Sequence, residues 1–496
     1  MPPSEKKTEI TQTATIEQES SSLLDQIIAK TKIGRDTEQK QQSRQQIATF
    51  VKEVLDGVLK LDKDVETTIS ARISEIDELL SQQLNEILHA PEFQKLEASW
   101  RSLHYLVSRS ETSPNLKIKV LNCTKNELVR NFENAPGFDQ SVLFKQVYED
   151  EYGVFGGEPV AALIGDFEFN RTAPDMELLA EISHVAAAAH APFLTAAAPE
   201  LFNWDDFTEI AGPRDLAKVF DTVEYAKWKS FRDSEDARYV GLTLPHILMR
   251  LPYGPDTAPV EMFNFTEDVD GKDHKKYLWG NAAYALGTRL TTAFARYGWC
   301  AAIRGVENGG LVEGLPAHTF DTDQGDVALK CPTELAIPDR REKELADLGF
   351  VPLVHCKNTD YAAFFSVQSA HKVKKYNTDA ANASAKLSAQ LPYLMAVSRF
   401  AHYLKVMMRD KIGSFVSRSD CERFLNEWIS QYVTPDDNAT AAAKAQFPLR
   451  DARVDVVETP GKPGAYKAVV FLRPHFQLDE LSASLRLVAD LPKTAR

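Results

Sequence analysis

From residue 47 onward, apolar side chains recur at helical spacing. Ile47, Phe50, Val51, Val54, Leu55, Val58 and Leu59 follow the i, i+3, i+4, i+7 rule that gathers side chains on one helix face. Ile69, Ile73, Ile76, Leu80, Leu84 and Ile87 define a second helix closed by Pro91. Pro91 then suits the first turn of a third, carrying Phe93, Leu96, Trp100, Leu103 and Val107. The period changes at Leu116-Lys117-Ile118-Lys119-Val120, where strict alternation predicts a half-exposed strand.

The middle of the chain alternates strands with helices. Pro159–Phe169 is a short continuous apolar run, as expected for a strand covered on both faces. A helix through Leu178, Leu179, Ile182, Val185 and Ala189 leads into a strand over Pro192–Ala198. Tyr277–Tyr297 reads as a helix running into a strand at Trp299–Ile303. Arg340–Leu348, opened by Pro338 and stopped by Gly349, is a charged helix leading into Phe350–Cys356. This succession predicts an α/β core whose sheet is at least partly parallel.

The last hundred residues change character. Residues 379–412 are Ala-rich and helical, ending at Gly413. Ser419-Asp420-Cys421-Glu422 has capping-box spacing and opens a helix bearing Phe424, Trp428 and Tyr432. Three alternating stretches follow, Arg453–Glu458, Tyr466–Arg473 and Ser482–Val488, the first two joined by the breaker Pro460-Gly461-Lys462-Pro463-Gly464. Terminal strands of this kind either close a sheet within the chain or offer an edge to another chain.

At the other end, residues 1–46 are rich in Gln, Thr, Ser and Glu and are expected to be mobile. One island interrupts them. Leu23, Leu24, Ile27 and Ile28 gather on one helical face, with Ser22 as N-cap. A helix this short is marginal alone, so its stripe either packs on its own domain or requires a partner. The expected organisation is α+β with an α/β core, multidomain, with mixed sheets flanked by helices and C-terminal strands available for inter-subunit β-augmentation. Its divisions are 1–46, an N-terminal segment with an amphipathic helix at 22–32; 47–378, a helical lead-in and α/β domain; and 379–496, a helix pair and strands.

Composition narrows the function. The chain has 496 residues, 57 basic against 71 acidic, a net charge of −14, with 44% hydrophobic and 26% charged residues. That is an ordinary globular composition. The acidic balance argues against nucleic acid, which needs a basic face, and against an anionic membrane surface. No run of about 18 apolar residues predicts a spanning helix, and the first residues lack the apolar core of a signal peptide. Five cysteines without a CxxC pair exclude that class of metal or redox motif and fit reduced, buried thiols in a cytoplasm.

Catalytic chemistry finds little support. No P-loop, HExxH, GxSxG or dinucleotide fingerprint is present. The Gly-rich segment 305–314 has neither the Lys nor the helix start of a phosphate cradle, and Glu307 and Glu313 repel anions, so it reads as a tight structural loop. Glu149, Asp150 and Glu151, and Asp321, Asp323 and Asp326, lack a full Ca²⁺-loop spacing and read as solvated charge. His184 and His190 fall on opposed faces of one helix, and His355 reads as a hydrogen-bonded core residue. Lys372, Lys374, Lys375 and Tyr376 form a compact basic run that reads as a solvated face. No catalytic residue, cofactor or metal is expected, and a large acidic protein with a tethered helix at one end and edge strands at the other suits an assembly subunit. The competing reading is a soluble enzyme using the loop at 305–314.

Particular strings carry more than periodicity does. They are Phe155-Gly156-Gly157-Glu158-Pro159 leading to Gly165-Asp166-Phe167-Glu168-Phe169, Ala188-Ala189-His190-Ala191-Pro192-Phe193, Gly298-Trp299-Cys300-Ala301-Ala302-Ile303-Arg304-Gly305-Val306-Glu307, and Leu311-Val312-Glu313-Gly314-Leu315-Pro316. Asp339-Arg340-Arg341-Glu342-Lys343-Glu344-Leu345, Arg399-Phe400-Ala401-His402-Tyr403-Leu404-Lys405 and Leu472-Arg473-Pro474-His475-Phe476-Gln477-Leu478 complete the set. In this order they resemble the large subunit of the contractile sheath of bacterial type VI secretion systems, from about residue 20 to 492.

The resemblance implies an obligate pairing with a small sheath subunit, stacking with neighbouring protomers on a baseplate around a hexameric inner tube, and contraction that expels the tube with its effectors. It also implies an AAA+ ATPase that dismantles the contracted sheath by grasping a helix matching Leu23, Leu24, Ile27 and Ile28. Strands matching Tyr466, Ala468, Val470, Leu472, Leu485 and Leu487 would join those of small subunits in a shared sheet. Neither nucleic acid nor membrane insertion has a place in such a role. A sheath component of a related phage-like contractile particle shares the mechanism and remains the alternative.

Overall fold

The computed structural model describes residues 65–477 except 323–324, 415–416, 437 and 460–465, together with 41, 44–49 and 52. These fall into two compact units: the described residues up to Leu84 with Glu261–Phe265, and Asn85–Val260 with those from Thr266 onward. Of the helix expected over Ile47–Leu59, residues 44–49 and 52 are helical and the rest lie outside the described residues. The island at Leu23–Ile28 and the strand expected at Ser482–Val488 also lie outside them. Helix α1 (Val65–Leu88) carries the expected stripe, and it stands exposed at Ile69, Ile73, Ile76 and Leu80.

In the larger unit, α2 (Pro91–Ser108) starts on Pro91 as the sequence predicts. Residues 117–123 form no strand, contrary to the alternation at Leu116–Val120. Only Ser113 and Leu116 make a bridge there, while Lys117 is bonded to Glu158 and Lys119 to Glu151 at 2.5 Å. Alternation creates a strand only where a second backbone lies alongside, and among the described residues none does. Thr124 and Glu127 form a reciprocal capping box that opens α3 (Lys125–Asn134). A π-helix follows at Lys145–Tyr152, held by Lys405, whose Nζ lies 3.5 Å above the Tyr152 ring and 3.1 Å from the Tyr148 hydroxyl.

The central sheet is built from β1 (Leu163–Phe169), then α4 (Ala173–Ala189), β2 (Phe193–Ala197), α5 (Ala226–Asp233) and β3 (Val240–Leu244). The chain continues through β4 (Ile247–Leu248), β5 (Trp279–Gly280), α6 (Ala283–Tyr297), β6 (Leu311–Val312), β7 (His318–Asp321) and β8 (Val327–Lys330). Then come α7 (Asp339–Asp347), β9 (Phe350–His355) and β10 (Ala362–Phe364). Strand order is β1-β2-β3-β9-β10-β6. The first four are mutually parallel and the last two antiparallel, so the sheet is mixed. One face packs on α4 and α5 through Leu179, Ile182, Trp228 and Phe350, the other on α6 through Leu286, Val351 and Leu353.

β2 and β3 are buried at every position, whereas β1 is buried only at Gly165 and Phe169 and exposed at Glu168, because it is an edge strand rather than the covered strand expected. Helix α6 starts six residues later than Tyr277, at Ala283. Leu248↔Trp279 and Ile247↔Gly280 pair as strands first, and Asn281 Oδ1 then takes the Ala283 N–H at 2.8 Å. Trp299–Ile303 makes no strand, since Trp299 turns into the C-terminal core and stacks on Phe400 at 4.1 Å. The expected helix at 379–412 is two, α8 (Asp379–Ser388) and α9 (Leu391–Asp410), because Pro392 in the first turn of α9 lacks the N–H that would continue α8. Beyond lie α10 (Arg418–Ser430), α11 (Ala441–Gln446), β11 (Leu449–Glu458) and β12 (Tyr466–Pro474).

Candidate functional site: an open sheet edge near the C-terminus

The C-terminal hairpin sits on its own core. Trp299, Phe400, Leu404, Leu425 and Ile429 pack under Leu449, Val454 and Val456, with Ala468, Val470 and Leu472 closing over them. Helix α10 is capped by Ser417, whose Oγ accepts the Asp420 N–H at 3.2 Å, so it begins two residues before the box expected at Ser419. That start brings Leu425 and Ile429 onto the hairpin. β11 and β12 pair antiparallel from Leu449↔Pro474 to Glu458↔Tyr466.

The hairpin's two outer edges differ. On β11, Asn426 of α10 donates from Nδ2 to the Val454 carbonyl at 2.7 Å and accepts the Val454 N–H on Oδ1 at 2.9 Å. Glu422 Oε2 accepts the Val456 N–H at 3.2 Å. Since Val454 turns its backbone groups to α10, its pairing with Val470 is of the non-hydrogen-bonded kind. The N–H and C=O of Val470 therefore point outward, and by the period of two so do those of Ala468 and Leu472. Among the described residues nothing bonds to them. These are three of the residues singled out from the sequence, and their side chains face α10 while their backbone faces out. The fourth, Tyr466, is exposed at the strand's start. Val469 and Phe471 stand on the exposed face, Phe471 beneath the Arg453 guanidinium at 4.9 Å. Leu23, Leu24, Ile27, Ile28, Leu485 and Leu487 lie outside the described residues.

A cluster absent from the sequence reading lies at the C-terminal ends of β1 and β3. His246 Nδ1 is 2.6 Å from Glu334 Oε2 and its Nε2 is 2.8 Å from Glu168 Oε1, while His274 Nε2 is 2.8 Å from Glu334 Oε1. Burial opposes a charge on His246, but Glu168 and Glu334 outweigh it and hold the imidazole well above its usual pKa. Burial likewise opposes the Glu334 charge, and the two histidines prevail, bringing its carboxyl to about 2. Four segments distant in sequence are thus pinned by charge; no spacing rule links residues 168, 246, 274 and 334. Among the described residues no group of His, Cys, Asp and Glu has the geometry to hold a metal.

The other candidates have structural settings. In the loop at 305–314, Gly305 N–H donates to the Phe364 carbonyl at 2.7 Å and Phe364 N–H to the Gly310 carbonyl at 3.0 Å, fastening the loop to β10. Gly309 has a positive φ, and a side chain there would strike the Ala302 carbonyl. His355 Nε2 bonds the Thr359 carbonyl at 2.8 Å, and His184 Nδ1 meets Asp236 at 2.7 Å. Lys374 pairs with Glu235 at 2.9 Å. The five thiols are free, but none is fully buried as expected: Cys123, Cys300, Cys331 and Cys421 are half-buried, and Cys356 is exposed because it sits in the β9–β10 turn.

The sequence model described as EvpB/VC_A0108, tail sheath N-terminal domain, matches residues 70–371, and that of the tail sheath gpW/gp25-like domain matches 380–491. The type VI secretion system sheath protein TssC1 of Pseudomonas aeruginosa is 51% identical over 449 residues, 90% of each chain. Among solved structures, a chain of the anti-feeding prophage baseplate aligns at 11% identity and TM-score 0.34 over 64% of this chain and 67% of that one. A chain of the same particle's helical sheath in the contracted state aligns at 11% identity and TM-score 0.30 over 62% and 66%. Among the described residues no helix is long and apolar enough to cross a membrane.

Proposed function

The chain belongs to the EvpB/VC_A0108 tail sheath family and is a structural subunit of a type VI secretion sheath, and from that premise we propose that it pairs obligately with a small sheath subunit in the cytoplasm. The pairs stack with neighbouring protomers on a baseplate around a hexameric inner tube, and contraction of the stack drives the tube and its effectors out of the cell. One observation supports this most: β11's edge is covered by Asn426 and Glu422, while among the described residues β12's edge is left open at Ala468, Val470 and Leu472. Main-chain hydrogen bonds added along that edge join protomers without depending on side-chain detail, and rigid bodies so joined can rotate between an extended and a contracted lattice.

In this reading Leu485 and Leu487 belong to the same inter-protomer sheet, and the division at 46/47 and 378/379 separates an ATPase-facing segment, a sheath domain and an inner region. Leu23, Leu24, Ile27 and Ile28 are the face that an AAA+ ATPase grasps to dismantle the contracted sheath. The chain acts without a catalytic centre of its own. The test is co-expression with the small sheath subunit and electron microscopy of negatively stained lysate. Hollow tubes that require both chains are expected; failure of the two chains to co-purify overturns the pairing.

A further inference from the structure

The larger unit holds a cavity of about 2720 Å³ between α2, the irregular segment 113–125 and β1. Small-molecule pockets run to about 1,000 Å³, so this space suits a length of polypeptide. Three observations at its walls specify what kind.

The first is backbone. β1 is the terminal strand of the central sheet. Leu163 N–H bonds the Pro192 carbonyl at 2.9 Å, the Gly165 and Phe167 carbonyls accept from Thr195 Oγ1 at 3.1 and 2.6 Å, and the Phe169 carbonyl accepts the Ala198 N–H at 3.0 Å. The register with β2 shifts between Ile164 and Glu168, so β1 bulges there. On both sides of the bulge odd positions face β2, and the backbone groups of Ile164 and Glu168, with Asp166 in the bulge between them, form the outer edge. Among the described residues that edge has one partner, Lys125 Nζ at 2.6 Å from the Glu168 carbonyl. The second is apolar surface. Leu96 and Trp100 of α2 line the cavity and are 56% and 67% exposed, as do Val120 and Leu121 at 66% and 50%. The third is charge. Glu200 and Asp205 line the cavity beyond the C-terminal end of β1, exposed, with no cation against either carboxylate among the described residues.

We propose that this cavity receives an extended segment of the pairing polypeptide, which adds to the outer edge of β1. Its alternate apolar side chains cover Trp100, Leu96 and Val120, and a Lys or Arg at one end meets Glu200 and Asp205. A strand satisfies the edge of β1 with main-chain bonds while aligning every second side chain with the apolar wall. A helix buried here would leave the β1 edge unsatisfied. The proposal rests on the reading of this chain as one half of a pair, and it places a second augmented edge far in sequence from β12.

The experiment uses the full chain and the small sheath subunit, co-purified and measured by titration. Trp100→Asp with Val120→Asp is expected to weaken pairing about thirtyfold or more, as loss of a central aromatic contact does. Glu200→Lys with Asp205→Lys is expected to weaken it less and in a salt-dependent manner. Val223→Asp, at an exposed position outside the cavity, serves as control and is expected to leave pairing unchanged. Hydrogen exchange reads the edge directly, with the Ile164, Asp166 and Glu168 amides gaining protection on pairing. Unaltered affinity in the cavity variants, or unchanged exchange at those amides while wild-type chains pair, overturns the cavity proposal and leaves the pairing intact. Failure of wild-type chains to pair overturns the pairing itself, and the cavity proposal with it.

Discussion

Asn426 takes the place of a third strand for Val454, holding its carbonyl at 2.7 Å and its N–H at 2.9 Å with one side-chain amide. A side chain that mimics a neighbouring backbone ends a sheet on that side, so growth is directed to the opposite edge. Asn426→Ala strips both bonds from a residue with no solvent access. The expected loss is about 3 kcal/mol, read from urea unfolding by the fluorescence of Trp299 and Trp428, which both lie in this core.

Proline substitutions separate the roles of neighbouring positions on β12. Val470→Pro removes an outward N–H and is expected to preserve the hairpin while preventing assembly into tubes. Phe471→Pro removes an N–H directed at β11 and is expected to loosen the hairpin itself. Near-UV circular dichroism reports the fold and electron microscopy the tubes. Tubes formed by Val470→Pro at the wild-type level would exclude the β12 edge from assembly.

His402 predicts an acid sensitivity. Burial first, then nearby Arg399, His190 and Lys405, bring its pKa to about 4, against the donation of its Nε2–H to the Ala189 carbonyl at 2.8 Å. Below about pH 6.5 the unfolded chain takes up a proton that the folded one refuses, so stability falls as pH drops from there towards 4. The whole effect is about 3 kcal/mol. His402→Gln keeps an N–H donor without a titrating group, and its unfolding midpoint should lose that slope.

The charge cluster predicts the opposite sign on the other side of neutrality. His246 has a raised pKa, so its contribution is complete below about pH 6.5 and is lost as pH rises through the folded value. Glu334, brought to about 2, contributes above its unfolded pKa and loses that contribution on acidification. His246→Leu leaves Glu334, whose side chain is 3% exposed, with His274 and the long 3.4 Å bond from the residue 246 backbone N–H. The expected cost is about 3 kcal/mol between about pH 5 and 6.5, narrowing at higher pH, as measured by denaturant unfolding across that range.

Leu24→Asp with Ile28→Asp places charge on the face assigned to the ATPase. Tubes are expected to form normally and to resist dismantling by the AAA+ enzyme in a turbidity assay. Disassembly at the wild-type rate would remove that assignment.

Where one segment determines its own structure, the sequence was legible. Pro91 and Pro338 start helices, Gly349 with its positive φ ends one, and Phe193–Ala197 and Phe350–His355 are strands because their composition requires burial on both faces. Where the outcome depends on a distant partner, it was not. Leu116–Val120 alternates like a strand but has no neighbour among the described residues, and Pro159–Phe169 is apolar yet lies at an edge. Trp299 leaves an apolar run to join Phe400 across a hundred residues of chain. The strand at Tyr466–Arg473 was visible as a strand, but which of its groups face outward follows only from Asn426, whose role no pattern marks.

The flank of β12 that the described residues leave open, with Val469 and Phe471 beside it, also bears on supply. An uncovered row of main-chain donors and acceptors accepts any extended peptide, including a second copy of itself. Each newly made chain therefore has a limited time in which to meet its proper neighbour, and surplus chains have only one another. Synthesis of this subunit has to be matched in amount and timing to that of whatever covers the edge, so the hairpin's geometry sets a demand on translation as well as on architecture.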